Sequence, residues 1–280
     1  MNVPQSVVYG VIQGLTEFIP VSSTAHLILA QTFSSTRLSA NPHTFDTVIQ
    51  LGTVAPVLAY FWRDWVSLAQ AGLRVVQNRR VGDDLNERLV KYIVLGSIPA
   101  GVAGLLFEKK IERLADPDFH EAKLFIGLAL IIVGCIMWYA EQVSRRTRSL
   151  EEIQPGDALF VGFAQALALF PGVSRSGATI TAGLLGGLTR DAAARFSFLL
   201  MTPIMLAATG YKLLKLAGGA EPVAPGEWQS MLVAGVAAGI TGYGAIAFLL
   251  RWLRHRSLGA FAFYRILVGA WAIGLYFSQR

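Results

Sequence analysis

Acids are scarce and cysteine nearly absent: 18 Asp and Glu stand against 24 Lys and Arg, with one Cys in 280 residues. A single cysteine, Cys135, excludes an internal disulfide framework, and its place in the apolar run 124–140 predicts a packing role. Charged residues make up only 15% of the chain. Soluble domains carry about a quarter, so a water-facing globule of ordinary composition is excluded. No basic residue precedes the first apolar stretch and no small-residue cleavage site follows it, so a removed signal peptide is not expected. What is present instead is hydrocarbon: 54% of residues are hydrophobic and the mean hydropathy is +0.50. The net charge of +6 and pI near 9.6 do not describe a nucleic-acid footprint. The basic residues sit in short clusters beside apolar runs, as the cytoplasmic loops of membrane proteins do.

Six stretches, near 47–63, 90–107, 123–140, 195–213, 228–250 and 258–277, approach the about 20 apolar residues a bilayer crossing requires. The last of them contains Arg265. Two more stretches are apolar but interrupted: 5–34 breaks at Pro20 and carries Glu17, and 158–188 breaks at Pro171-Gly172 and carries Arg175. A helix interior accepts neither break cheaply, so each predicts two half-helices meeting at a turn, a re-entrant hairpin.

Shifting the chain by 152 residues lays residues 13–25 on 165–177 without a gap, with Gln, Leu, Phe, Val and Ser coinciding. Each copy is followed by three spans, so the second hairpin is inverted relative to the first. The expected fold is therefore an all-α integral membrane protein, six transmembrane helices plus two re-entrant hairpins in an inverted-topology repeat with halves of about 1–150 and 151–280. The active centre is expected where the hairpin tips meet near the bilayer midplane. The connections 63–91, 141–157 and 251–257 hold most of the loop arginines and fall on one side of this scheme, the cytoplasmic one. The loops 108–122 and 214–227 and both termini then face outward.

Glu17 is the only acid in the first 45 residues. A carboxylate at membrane depth costs several kcal/mol unless paired, hydrated or metal-bound, which makes it a functional candidate. Gln13 lies one turn earlier on the same face. After Pro20 come Ser22-Ser23-Thr24-Ala25-His26, hydroxyl caps for a second half-helix whose N-terminus forms an anion site. Ser23 and His26, three apart, have the spacing of a hydroxyl nucleophile and an imidazole partner. In the second hairpin, Ser174-Arg175-Ser176-Gly177-Ala178-Thr179 follows Pro171-Gly172-Val173. Arginine presents a rigid donor fork for phosphate and keeps its charge when desolvated.

These two segments resemble the paired signatures of the undecaprenyl-diphosphatase family, also called bacitracin-resistance proteins: a (Glu/Gln)-x-x-x-Glu element and a Pro-Gly-x-Ser-Arg-Ser-x-x-Thr element. Residues 13–26 fit the first, 171–179 fit the second throughout, and Phe45–Thr53 resembles the segment after the first hairpin. The resemblance implies six spans plus two hairpins. It implies hydrolysis of undecaprenyl diphosphate to the monophosphate at the outer face of the bacterial inner membrane, with a divalent cation, Mg²⁺ or Ca²⁺. It further implies Glu17 as essential acid, Ser23 and His26 as nucleophile or its partner, Arg175 as diphosphate clamp, and Ser22, Thr24, Ser174, Ser176 and Thr179 as completing the site. Glu17 and Gln13 become the metal ligands, although Gln13 replaces the Glu of many relatives and removes one anionic donor. The expected partners are a polyprenyl diphosphate and membrane lipid, not nucleic acid; the sequence allows a homodimer. Another class fits the same architecture: a polyprenyl-phosphate flippase built on the inverted-repeat anion site.

Overall fold

In the computed structural model the chain is described over residues 2–32, 42–115, 119, 121–218 and 227–278, and every regular element within them is helical. The helices are α1 (Val3–Phe18), α2 (Ser23–Thr32), α3 (Pro42–Tyr60), α4 (Trp62–Asn78), α5 (Leu85–Ala115), α6 (Ala122–Val143), α7 (Pro155–Leu167), α8 (Arg175–Leu185), α9 (Arg190–Ala217), α10 (Glu227–His255) and α11 (Gly259–Ser278). The described residues contain five helices long and apolar enough to cross a bilayer, α5, α6, α9, α10 and α11. Their outward faces are apolar, with Leu105, Ile132, Val236, Ile240 and Leu267 exposed, as lipid-facing surfaces are. This is a multi-pass membrane protein.

The first expected span departs from the sequence reading. The reading carries it to residue 63, whereas α3 ends at Tyr60 and the chain turns at Phe61 to continue as α4. The connection 63–91, read as a basic loop, thus holds all but the first residue of the 17-residue helix α4. Leu68 and Ala71 are its buried residues, while Val66, Leu73 and Val76 stay exposed. An ion pair from Arg195 Nη2 to Asp64 Oδ1 (2.9 Å) ties α4 to α9. Helix α5 runs past 107 into the segment read as an outer loop. Of the loop 214–227, residues 219–226 lie outside the described residues, as do 116–118 and 120 of 108–122 and the side chains of Asp46 and Thr47. Cys135 is exposed on α6 rather than packed inside: the apolar run around it turns one side outward.

Helix α10 buries a small-residue stripe (Ala234, Ala238, Gly242, Ala245) against α1 and α3. Small side chains let helix axes approach where no hydrophobic force separates protein from lipid. Gly14 of α1 shows the consequence: a Cβ there would run into the Ala238 carbonyl and Thr241 Oγ1. Helix α11 lies along α6, α7 along α5, and α8 along α9 and α7.

At one end of the bundle, Glu141 near the close of α6 collects three elements. Arg190 of α9 donates to both its oxygens (Nη2 to Oε2, 2.6 Å; Nε to Oε1, 2.9 Å), Arg146 Nη1 donates to Oε2 (3.0 Å), and the Leu258 amide donates to Oε1 (2.7 Å). Removing one partner of a buried ionic network strands the others. Glu141→Ala should therefore lower unfolding stability by about 3–5 kcal/mol, read from thermal or denaturant unfolding in detergent. A loss under about 1 kcal/mol, the range of an exposed pair, would contradict this placement.

Candidate active site

Both interrupted stretches break where their prolines predict. Helix α1 ends at Phe18, and Ile19 is extended (φ −66°, ψ 135°) ahead of Pro20. Helix α2 then starts at Ser23. In the second copy α7 ends at Leu167 and α8 starts at Arg175, after Gly172 at φ +89°. Only glycine accepts that φ without strain, and a Cβ on Gly172 would also press on the Ile126 carbonyl and on Ala129 of α6. The residues just before the two half-helices, Ser22 (φ 79°) and Ser174 (φ 72°), are two of the four non-glycine residues at positive φ among those described. They coincide under the 152-residue shift. Strained backbone of this kind persists where its surroundings enforce it, and it clusters at functional sites.

The breaks put the two halves of the chain in direct contact. Arg175 Nη2 donates to Glu17 Oε1 at 2.9 Å, joining residues 158 apart in sequence. Glu17 is 5% exposed. Its other oxygen, Oε2, accepts from Ser23 Oγ (2.6 Å) and from Gln13 Nε2 (3.1 Å). Ser176 Oγ donates to the Glu17 carbonyl oxygen (3.4 Å) and lies 3.3 Å from Ser174 Oγ, which caps α8 by accepting from the Gly177 amide (3.2 Å). Thr179 Oγ1 donates to the Arg175 carbonyl (2.7 Å) and lies 2.5 Å from Ser197 Oγ of α9. One carboxylate thus holds a guanidinium, an amide and a hydroxyl. Short charge-assisted bonds of this type orient all the groups at once.

Of the residues expected at the site, Gln13, Glu17, Ser23, Arg175, Ser174, Ser176 and Thr179 join this cluster. The expected partnership of Ser23 with His26 is not made. Ser23 turns to the carboxylate, the stronger acceptor, and both nitrogens of His26 are engaged elsewhere. Nδ1 lies 2.7 Å from the Ser22 carbonyl oxygen, and Nε2 lies 2.8 Å from the Tyr264 hydroxyl. Of Ser22, it is the carbonyl oxygen that makes the contact with His26. No hydrogen bond links half-buried Thr24 to the cluster among the described residues.

Sequence reasoning passed over Arg265, which counted only as a blemish in the last span. It is 0% exposed and is the largest fully buried side chain among the described residues. Nη1 donates to the Pro20 carbonyl (3.3 Å), and Nη2 to those of Gly172 (2.8 Å) and Val173 (3.0 Å). A lone arginine in an apolar span was the signal that could have found it.

The sequence profile described as "Bacitracin resistance protein BacA" matches residues 6–271. The chain belongs to that family. BacA relatives named "Undecaprenyl-diphosphatase" include one from Moorella thermoacetica, 41% identical, with 100% of each chain covered. Another, from Thermomicrobium roseum, is 44% identical over 96% of each chain. A third, from Anaeromyxobacter sp. strain Fw109-5, is 44% identical over 96% of this chain and 86% of its own. The match covers both helix breaks, so the contact between Glu17 and Arg175 lies within the part shared with this family.

Proposed function

We propose that this BacA protein hydrolyses undecaprenyl diphosphate to undecaprenyl phosphate and inorganic phosphate at the outer face of the bacterial inner membrane, recycling a cell-wall lipid carrier. The observation that carries this is Glu17, which receives Ser23 on one oxygen and Arg175 on the other. Hydrolysis needs a nucleophile and a proton acceptor beside the anion clamp, and the Ser23 hydroxyl on the Glu17 carboxylate offers both, which transport alone does not require. The relatives' names agree with the hydrolytic reading.

In the proposed reaction the diphosphate displaces Glu17 from Arg175, whose side chain retains 17% exposure, and takes the guanidinium for its own oxygens. Ser23 Oγ then forms a bond to the terminal phosphorus while the bond to the bridging oxygen breaks. Glu17 takes the serine proton, and undecaprenyl phosphate leaves. Glu17 passes that proton to the bridging oxygen of the departing lipid phosphate; water then attacks the phosphoserine and gives a proton to the freed carboxylate, which returns it to Ser23 Oγ as inorganic phosphate leaves. Arg175 and the half-helix N–H groups stabilise the charge on the phosphoryl oxygens.

A divalent cation fits through oxygen donors alone. The described residues contain no group of three or more His, Cys, Asp or Glu able to hold a metal, but Mg²⁺ commonly takes one carboxylate plus substrate phosphates. Glu17 and the Gln13 amide oxygen would hold it, and it would supply further neutralisation of the diphosphate.

The architecture proposed for this work is six crossings, with α3 as the sixth, and re-entrant pairs α1–α2 and α7–α8 related as inverted halves. The two helix breaks and the matched strain at Ser22 and Ser174 support it. The test is phosphate release from undecaprenyl diphosphate by pure protein in detergent. Turnover is expected, with loss on chelation and recovery with Mg²⁺ or Ca²⁺. Lipid movement across vesicles without phosphate release would overturn the hydrolase in favour of the transporter.

A further inference from the structure

Two consecutive residues of α11, Tyr264 and Arg265, reach the site from outside both hairpins, Tyr264 at His26 and Arg265 at the two helix breaks. The Arg265 guanidinium is fully buried, and its hydrogen-bond partners among the described residues are carbonyls and not carboxylates. It binds three: Pro20 from the first helix break, Gly172 and Val173 from the second. Such carbonyls are left without partners where a helix is interrupted. A single planar fork spanning both breaks fixes the separation of their backbones. The fit is close: a Cβ on Gly177, in the first turn of α8, would come within 3.2 Å of Arg265 Nη1. Glu17 lies three residues before Pro20, and Arg175 two residues after Val173. The spacing that Arg265 sets is therefore the spacing at which those side chains meet.

Tyr264 acts on His26, whose contact with the Ser22 carbonyl holds the backbone next to Ser23. A carbonyl oxygen only accepts, so the 2.7 Å contact to Ser22 places a proton on His26 Nδ1. In the neutral ring Nε2 is then the acceptor, and the Tyr264 hydroxyl donates to it at 2.8 Å. The rings also stack, with centroids 5.6 Å apart and planes 6° from parallel. Stacking and the hydrogen bond together hold the imidazole in one orientation and occupy its only lone pair.

We propose that Tyr264 and Arg265 are positioning residues for diphosphate hydrolysis, Arg265 locking the two helix breaks in register and Tyr264 fixing His26 in orientation and hydrogen bonding. This rests on the hydrolytic reading of the site. A clamp of this kind sets how the reacting groups are aligned rather than how tightly the lipid is held, so its loss falls on kcat. A displacement of about 1 Å costs on the order of a hundredfold in rate.

The experiment compares Arg265→Lys, Arg265→Met and Tyr264→Phe with the parent protein in steady-state phosphate release, alongside ¹⁵N NMR of protein labelled at histidine. Arg265→Met should lower kcat about a hundredfold with KM changed less than about threefold, and Arg265→Lys, which keeps the charge and part of the donor set, should recover about tenfold of it. Tyr264→Phe retains the ring stack, so the fold survives. It should lower kcat about tenfold and move the His26 Nε2 resonance towards that of an imidazole nitrogen without a donor. If Arg265→Met does not fold, Arg265→Lys at an unchanged melting temperature still decides, because a parental kcat there sinks the role of Arg265. An unmoved Nε2 resonance with parental kcat in Tyr264→Phe sinks the role of Tyr264. Absence of turnover in the parent protein would instead remove the hydrolytic reading, and the NMR result would still report whether Tyr264 governs His26.

Discussion

Arg175→Lys is expected to lower kcat/KM for undecaprenyl diphosphate about 10³-fold while the protein stays folded and its melting temperature moves little. Lysine keeps the positive charge, so a loss this large isolates the geometry of the fork. Arg175 sits in the first turn of α8 and reaches 2.9 Å to Glu17, which lies on the last turn of α1. From that place two parallel N–H groups can meet two phosphoryl oxygens, whereas an ammonium meets them as a point. The transferring phosphoryl group carries its charge on oxygens spread around the phosphorus, and a fixed fork matches that spread without reorganising. In the resting structure Glu17 occupies the guanidinium, so the clamp is held in place before substrate arrives. Lysine, on a flexible stem, loses this preparation as well. Near-parental turnover in Arg175→Lys would mean that the guanidinium serves only to balance Glu17. The hydrolytic centre would then have to be sought elsewhere.

How far such a site is legible before folding depends on what the signal consists of. Glu17 and Arg175 declared themselves because a charge in a hydrocarbon run has few reasons to exist, and Pro20 and Pro171-Gly172 declared the breaks because the backbone cannot pass through them as helix. The 152-residue self-match marked the two breaks as equivalents, and the shared left-handed backbone at Ser22 and Ser174 is the same equivalence in dihedral angles. Hidden were the relations that depend on rotamers and on distant chain. Ser23 and His26 have the spacing for a pair along one helix, but the carboxylate of the preceding helix competes for the hydroxyl and wins at 2.6 Å. Arg265 was visible as a letter and unreadable as a role, because its acceptors are carbonyls that exist as free acceptors only once both breaks have formed. Helix α4 was missed for a simpler reason. Its arginines and its position beside basic clusters imitate a loop, while the helical stripe of Leu68 and Ala71 is short.

The same competition for the Ser23 hydroxyl makes a sharper demand on Glu17. Glu17→Gln preserves the size of the side chain and leaves an oxygen able to accept from Arg175 or Ser23, so burial and packing change little. It removes the charge and the capacity to take a proton. If Glu17 is the proton acceptor for Ser23, kcat should fall about 10³- to 10⁴-fold, the range of a lost general base combined with a lost anion beside the reacting hydroxyl. Ser23→Ala should fall by a similar factor, and the double variant Glu17→Gln/Ser23→Ala should be hardly slower than either, since two residues serving one proton transfer do not contribute independently. His26→Gln should multiply with either loss if its task is separate, as its bonds to Ser22 and Tyr264 indicate. Rates of phosphate release for the singles and the double, measured on protein of matched melting temperature, complete the cycle. Multiplicative losses for Glu17 and Ser23, with His26 and Ser23 failing together instead, would return the proton to the imidazole and require the 2.8 Å bond from Tyr264 to open during turnover.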